Sequence, residues 1–509
     1  MSLPVKVLDG ANSIGGTKIL LEFDNHGLLL DFGLNFKRFG LYYEEFIKPR
    51  TALGIHDFWD LDLIPHKSEF YRKDFVCHDL HDDEPINLES IDGVVLSHAH
   101  ADHYGCLGLL KPEIPMICSS TSYSILRAIQ DSGRTEFYQQ TCYLSDYVEK
   151  GCRGHNVLSS AGGSHQGRDL VISSNDKDNI TELCKRKANP ATGKKPMNPG
   201  DISNLNEGKI SWNLTQYPVD HSILGACASK IELDRGNVLY TEDIRKSGSH
   251  SELVDEFIAS VRNPRPWILI IEGTQVTREE ECLTSEVECK DNCEALIEQN
   301  DEDLVIADFS PRNVERLISF SEISETCGRT LVITQKDAYL LDCINVTDST
   351  IPLPSDSILI YNDLKSTEGG WEKWLYKKYS KYYINGRDIS ESPSNYIVAF
   401  SYWDIKSLLD IKPHGGLYLY SSSEPFSEEQ QIDLDRLFNW IGMFGMEIEG
   451  LEKINKDWYI IPGYHCSGHA TPTQLDEIVR ALNPEIIIPV HTQDRTWFTR
   501  FDDISEVVV

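Results

Sequence analysis

The sequence predicts an α/β protein built from more than one domain, and three observations carry that prediction. Residues 304–400 alternate β-prone apolar runs with helix-length stretches. Residues 6–31 read as strand, turn and strand. The apolar run 94–96 leads directly into Ser97-His98-Ala99-His100-Ala101-Asp102-His103, and later strand candidates also end in a histidine or an acid. A β/α alternation implies a parallel sheet with helices on its faces. At 509 residues the chain is long enough for two or more domains, each with a sizeable core.

In chain order, Gly15-Gly16 breaks the first strand pair, 17–23 is apolar and β-prone, and Asn25-His26-Gly27 is a turn before a strand that ends at Asp31. An acid at the end of a buried strand must be paired or hydrogen-bonded. Residues 34–90 are aromatic and mixed in charge. Their His56, His66, His78 and His81 have no tightly spaced partner and read as surface or packing residues. The strand over 94–96 is followed by the histidine cluster and by 104–111, which reads as the start of a helix. On extended chain, His98 and His100 point the same way, while Asp102 and His103 sit where the chain turns and can aim at a second point. An isolated histidine is usually structural. Three histidines and an aspartate this close after a strand read instead as metal ligands, because zinc favours imidazole nitrogen and carboxylate oxygen. The spacing is not that of the metalloprotease helix motif.

Residues 119–130 read as a helix. The segment 150–210 is polar and rich in Gly, Asn, Ser and Lys, including Lys185-Arg186-Lys187 and Lys194-Lys195, and reads as an extended loop or insertion. Strand candidates at 212–219, 237–240 and 267–271 end at His221, Asp243 and Glu272. A charged helix is expected over 279–299, with Cys289 and Cys293 one turn apart on an apolar face. Then come strands at 304–309, 330–334, 357–361, 396–400 and 416–421, with helices at 314–326, 371–383 and 428–444. The chain closes with 458–462, Tyr464-His465-Cys466-Ser467-Gly468-His469-Ala470, a helix over 473–482 entered at Pro472, and a buried strand 486–490 ending at His491. Ser467, Gly468 and His469, ahead of a helix start, are candidates to hold a phosphate.

Bulk properties narrow the function classes. The net charge of −32 argues against nucleic-acid binding through the overall field and leaves open a local basic groove. No apolar run approaches the length of a membrane span, and Met1-Ser-Leu-Pro-Val-Lys6 lacks the pattern of a signal peptide. The 13 cysteines form no paired framework, which fits a reducing compartment, and the expected location is cytoplasmic.

His-x-His-x-Asp-His after a strand resembles the signature of the metallo-β-lactamase superfamily. Glu272-Gly-Thr, Ser467-Gly-His469-Ala and Pro489-Val-His491 then resemble, in order, motifs A, B and C of its β-CASP nuclease branch, and the wording of the last two is most similar to ribonuclease J-like enzymes. The resemblance spans nearly the whole chain, with 34–90 and 150–210 least matched. It implies a metallo-β-lactamase αββα sandwich over 1–275, with the polar insertion at about 150–210. A Rossmann-like β-CASP domain follows over 276–455, and 456–509 returns to complete the sandwich. The chain ends too soon after His491 for the separate C-terminal domain of ribonuclease J-like enzymes.

The resemblance also implies roles. His98, His100 and His221 would hold one zinc and Asp102, His103 and His491 the other, with Asp243 bridging; manganese suits the same donors. Asp31 would orient the metal loop. Relatives commonly carry Gly at the position of Glu242, so local shape there is in question. Water activated between the two metals would hydrolyse phosphodiester bonds, with catalytic roles for Asp102, Glu272 and His469. Arg245, Lys246, Arg312 and Arg316 are further candidates for contacts to the nucleic-acid backbone. A histidine at motif C goes with RNA processing, so the expected partner is single-stranded RNA, 5′-monophosphorylated, cut by 5′-to-3′ exonuclease action, endonuclease action or both. The alternatives are a DNA nuclease of the same branch and a non-catalytic subunit of an assembly. A homo-oligomer or a protein partner is compatible with either.

Overall fold

The computed structural model describes residues 3–44, 46–76, 88–174, 176–186, 197–278, 284–301, 303–423 and 428–509. Two sheets face each other. The first runs, in spatial order, Val5–Asp9, Lys18–Phe23, His26–Phe32, Ser90–Val95, Met116–Cys118, Leu170–Ile172 and Ile202–Asn204. The second runs Asn213–Pro218, Cys227–Leu233, Gly236–Glu242, Ile268–Gly273, Ile486–Thr492 and Glu506–Val507.

Strand alternation decides which side chains meet between the sheets. Ile19, Leu21, Leu28, Leu30 and Val95 of the first sheet pack on Ile231, Val238, Tyr240, Ile268, Ile270 and Ile488 of the second. The intervening residues face outward onto helices. Leu239, Leu269, Ile271 and Ile487 pack on Val254, Phe257 and Val261 of helix Glu252–Val261 and on Leu475, Ile478 and Val479 of helix Pro472–Leu482. Leu20, Leu29 and Val94 face a core that includes Ile125 and Leu126 of helix Ser120–Ser132. The layers are therefore helix, sheet, sheet, helix, the expected αββα sandwich. The central strands His26–Phe32, Ile268–Gly273 and Ile486–Thr492 are buried along both faces, as their place between layers requires.

A third sheet is inserted between two neighbouring strands of the second. Ile268–Gly273 and Ile486–Thr492 pair in parallel, with Ile268 opposite Ile486 and Glu272 opposite Val490. The chain between them forms a seven-stranded sheet in the order Tyr383–Ile384, Ile358–Tyr361, Thr330–Ile333, Tyr396–Ala399, Val305–Asp308, Leu417–Tyr420 and Glu447–Glu449, with every pair parallel. One face packs on helices including Val314–Thr326 and Gln335–Asn345. The other packs on Leu437 and Ile441 of helix Glu428–Met443. Helix Gln335–Asn345 has no counterpart in the sequence reading. It also ties the inserted sheet to the sandwich, where the Tyr339 hydroxyl donates to Asp131 at 2.8 Å.

Two expectations are corrected. The segment 150–210 is not a single extended loop. It supplies Leu170–Ile172 and Ile202–Asn204 to the first sheet, a hairpin Tyr147–Cys152/His155–Ser160, and helix Lys177–Lys185. Three-residue strands such as Leu-Val-Ile are too short to show a period among polar neighbours. Lys187, Lys194 and Lys195 lie outside the described residues, as do His78, His81 and Cys282. The stretch 104–111 does not propagate a helix: Ala101–Tyr104 is a single turn that stops at Gly105, and a 3-10 turn Leu107–Leu109 follows. His66 stacks on Trp59 with ring centroids 4.7 Å apart, a packing role as expected. Cys289 and Cys293 lie fully buried on one helix face. The acidic stretch around that helix is not wholly a solvated face, because Glu286 is buried.

Asp308, at the end of the strand Val305–Asp308, is buried and accepts from the Tyr418 hydroxyl at 2.6 Å. Burial pushes its carboxyl up to about 7. A carboxyl raised in the folded state contributes stability at low pH that is lost as pH climbs from about 4 through the folded value. Asp308→Asn is therefore expected to match wild type in urea unfolding near pH 4 and to exceed it near pH 8, by on the order of 1 kcal/mol or more. Equal midpoints at pH 8 would contradict this.

Candidate metal centre

The centre forms where the adjacent ends of the two sheets converge. After Ser90–Val95 the chain runs extended through Ser97 and His98, then turns into Ala101–Tyr104. The turn is held by backbone bonds to the first sheet: Leu34 N donates to Ala101 O at 3.0 Å and Gly16 N to Asp102 O at 3.1 Å. Gly33 is obligatory here, since a Cβ would lie 1.5 Å from the Asp102 carbonyl oxygen. The Gly236–Glu242 strand delivers Asp243, Ile268–Gly273 delivers Glu272, and Ile486–Thr492 contains His491. His221 follows Asn213–Pro218, and His469 precedes helix Pro472–Leu482.

Hydrogen bonds on the outer side of each ring decide which nitrogen faces inward. His98 Nδ1 donates to Ser97 Oγ at 3.0 Å, and that hydroxyl donates to Asp31 Oδ2 at 2.6 Å. His103 Nδ1 lies 3.0 Å from the same Asp31 oxygen. His221 Nδ1 donates to the Gly468 carbonyl at 2.6 Å. Each of these rings therefore turns a bare Nε2 into the site. His100 presents Nδ1 instead, 3.0 Å from His98 Nε2 and 3.1 Å from His221 Nε2. Tetrahedral zinc with nitrogen ligands at its usual bond length would hold them roughly 3.3 Å apart.

Asp243 lies among these nitrogens. Its Oδ2 is 3.5 Å from His98 Nε2, 3.7 Å from His221 Nε2 and 3.3 Å from His103 Nε2. Its Oδ1 is 3.5 Å from His491 Nδ1. Asp102 Oδ2 lies 3.2 Å from His491 Nε2 and 3.6 Å from His103 Nε2. Among the described residues, three groupings share Asp243: with His98, His100 and His221; with His103, Glu242 and His491; and with Glu272, His469 and His491. His103 Nε2 and Asp243 Oδ1 are buried without a hydrogen-bond partner. Buried polar atoms normally find one, and a divalent cation accepted by both would complete them. The donor set therefore fits metal.

The electrostatics differ between the histidines: against its burial, the acids around His103 raise it well above the usual range, while three others are held low. Burial and the neighbouring imidazoles hold His98 well below the usual histidine range, and burial also holds His221 low and takes His100 to about 4. Neutral imidazole is the form that binds a cation. Burial disfavours the charge on Asp102 and Asp243, but the histidines around them overcome it and keep both carboxyls well below the ordinary value. Burial opposes protonation of His491 as well, yet Asp243 and Asp102 raise it to about 9.

Every site residue expected from the sequence lies in or beside this cluster. Asp31 is fully engaged: besides His103 and the Ser97 hydroxyl it accepts from Ser97 N at 2.8 Å and from the Tyr240 hydroxyl at 2.7 Å. His469 Nδ1 donates to Glu272 Oε2 at 3.0 Å, and its side chain is 24% exposed, open to an incoming molecule. Gln275 donates to the Ser467 hydroxyl. The helix beyond them starts with a Thr471–Gln474 capping box and Pro472 in its first turn.

The basic candidates divide. Arg245 is buried against Asp220, Glu286 and Glu315 at 3.1, 3.1 and 2.6 Å. Arg316 is buried against Glu286 at 2.7 Å, and Lys246 pairs with Asp255 at 2.8 Å. All three are held in ion pairs within the protein. Arg312 is half-buried and close enough for its charge to depress His100. Sequence reasoning missed the roles of Tyr240 on Asp31, of Thr274, whose hydroxyl lies 2.8 Å from His491 Nδ1, and of Ser97 on the outer side of His98. Ser97, adjacent to His98, and Thr274, within Glu272-Gly-Thr, carried a local signal.

Three findings compare the chain with known proteins. Residues 80–117 match the model of the metallo-beta-lactamase superfamily. Over 99% of its length the chain is 21% identical to Ribonuclease J of Pyrococcus abyssi (strain GE5 / Orsay), covering 92% of that protein. Its fold is similar to the crystal structure of a protein of unknown function from Enterococcus faecalis V583, with a TM-score of 0.68, 18% identity, and coverage of 99% of this chain and 97% of that one. Among the described residues no helix is long and apolar enough to cross a membrane.

Ser97 joins Asp31 to His98 through one hydroxyl, so its removal bears on both. Ser97→Ala is expected to weaken divalent-metal binding by about 10-fold or more and to lower stability by about 1–3 kcal/mol. Metal titration of chelator-stripped protein and urea unfolding would measure these. Metal affinity equal to wild type would remove Ser97 from the centre's support.

Proposed function

We propose that this chain, which resembles ribonuclease J over nearly its whole length and matches the metallo-β-lactamase superfamily at its histidine loop, is a metal-dependent ribonuclease. The observation that carries the proposal is the convergence of His98, His100, His221, His103 and His491 around Asp243, with Asp102 against His103 and His491 and the His469–Glu272 pair alongside. In this reading His98, His100 and His221 hold one ion, Asp102, His103 and His491 a second, and Asp243 is shared. The ions would be zinc, with manganese accepted by the same donors. When bound, such ions polarise water and the scissile phosphate.

The chain's own residues do the rest. Asp31 holds the rings of His98 and His103 in register. Burial works against a proton on His469, but Glu272 and Asp243 raise its affinity for one. It can hydrogen-bond the phosphate or protonate the leaving oxygen. The Ser467 hydroxyl and the Gly468 backbone are suited to a neighbouring phosphate, and Arg312 supplies positive charge from the inserted sheet. The domain division follows: a metallo-β-lactamase domain over 1–275, a β-CASP domain over 276–455, and a return segment over 456–509. His491 at motif C favours RNA over DNA, and the preferred RNA is single-stranded and 5′-monophosphorylated.

Purified protein, with His469→Ala and Asp102→Ala beside it, would be given 5′-monophosphorylated RNA, 5′-triphosphorylated RNA and matching single-stranded DNA, with zinc or manganese. Cleavage of RNA is expected, reduced about 10²–10⁴-fold in His469→Ala and abolished in Asp102→Ala. Mononucleotides from monophosphorylated RNA alone would identify a 5′-to-3′ exonuclease, and internal fragments an endonuclease. DNA cut as fast as RNA would overturn the preference for RNA. A protein that holds its metals and cuts neither would overturn the nuclease reading.

A further inference from the structure

Glu242 is the one acid of the centre for which the family resemblance supplies no role. Its side chain is fully buried and its backbone φ is +47°, a conformation natural to glycine and strained for glutamate. Its Oε1 accepts from the Thr17 hydroxyl at 3.1 Å and lies 3.2 Å from His103 Nδ1, while Oε2 is buried without a hydrogen-bond partner. A strained backbone and an incompletely paired buried carboxylate each destabilise a fold. Something else must offset them.

The neighbourhood shows what that is. Two acids face the single Nδ1–H of His103: Asp31 at 3.0 Å and Glu242 at 3.2 Å. Asp31 is already satisfied by Ser97 N, the Ser97 hydroxyl and the Tyr240 hydroxyl. Glu242 accepts from Thr17 and lies beside the Tyr240 hydroxyl and His103, with Oε2 left unpartnered. Across the ring, His103 Nε2 is the unpartnered atom that faces Asp243 and Asp102. We infer that Glu242 is a positioning residue for the cation held at His103. Together with Asp31 its carboxylate holds the ring with Nδ1 turned away from the centre and Nε2 toward it, and it places one more acid beside the ion's position. The protein thus gives up stability in the metal-free state for tighter hold on the ion at the Asp102–His103–His491 position.

This inference rests on the metal reading of the centre, and its test separates the two. Chelator-stripped wild type, Glu242→Gln and Glu242→Gly would be titrated with zinc against a colorimetric chelator, and their thermal unfolding followed with and without zinc. Wild type is expected to bind two ions. Both variants should bind one of them about 10- to 100-fold more weakly. Stripped Glu242→Gly, freed of the backbone strain and the buried charge, should melt at or above stripped wild type, and the gap between stripped and zinc-loaded melting should narrow. A Glu242→Gln protein that binds both ions as tightly as wild type overturns the inference and leaves the metal reading intact. A Glu242→Gly protein less stable than wild type when stripped also overturns it, because the residue would then be a structural prop. Wild type that binds no zinc overturns both.

Discussion

Carboxylates and imidazoles are packed together with little access to water at the ends of two sheets, and such a set persists only if its charges cancel. Asp243 touches both halves of the set, and its own charge is sustained by His491, His469 and His103 despite complete burial. Most of the surrounding architecture answers to that requirement. Asp31 is saturated with donors so that it can hold two rings. Asp31, Glu242 and His491 all carry positive φ, at +52°, +47° and +49°. Strain of this kind survives only where surrounding structure over-determines it, and here it lies at the strand ends that aim side chains inward.

What could be read from the sequence was whatever has a short-range signature. His98 to His103 announce themselves by spacing, the inserted parallel sheet by alternation of strand and helix, and Glu272, Ser467-Gly-His469 and His491 by their positions at strand ends and by likeness to known motifs. What stayed hidden depends on contacts between distant residues. The two strands inside 150–210 are three residues long and gain their identity from the sheet they join. The burial of Arg245 and Arg316 follows from ion pairs with Asp220, Glu286 and Glu315 whose members lie 25 or more residues apart in the chain. Ser97 and Thr17 acquire roles only because Asp31 and Glu242 fold back onto them.

The same ion-pair group is the joint between the two parts of the molecule. Arg245 follows Asp243 by two residues and also donates to the Ser467 carbonyl at 3.1 Å. Its carboxylate partners Glu286 and Glu315 belong to helices Glu286–Glu298 and Val314–Thr326 of the inserted segment. Burying such charges is unfavourable unless each is fully paired, and the pairing here exists only when the inserted helices are docked. The position of Ser467, and through Gly468 that of His221, is thereby linked to the seating of the insert.

The pairing of Ile268–Gly273 with Ile486–Thr492 has a consequence for the newborn chain. As synthesis proceeds, the three-histidine half of the centre and Asp243 emerge first, and the edge of the second sheet then waits through the whole insert for its neighbour. His469 and His491 arrive last. Until that strand slides into place the cluster lacks His469 and His491, so the newborn chain carries an incomplete centre until its last segment has paired.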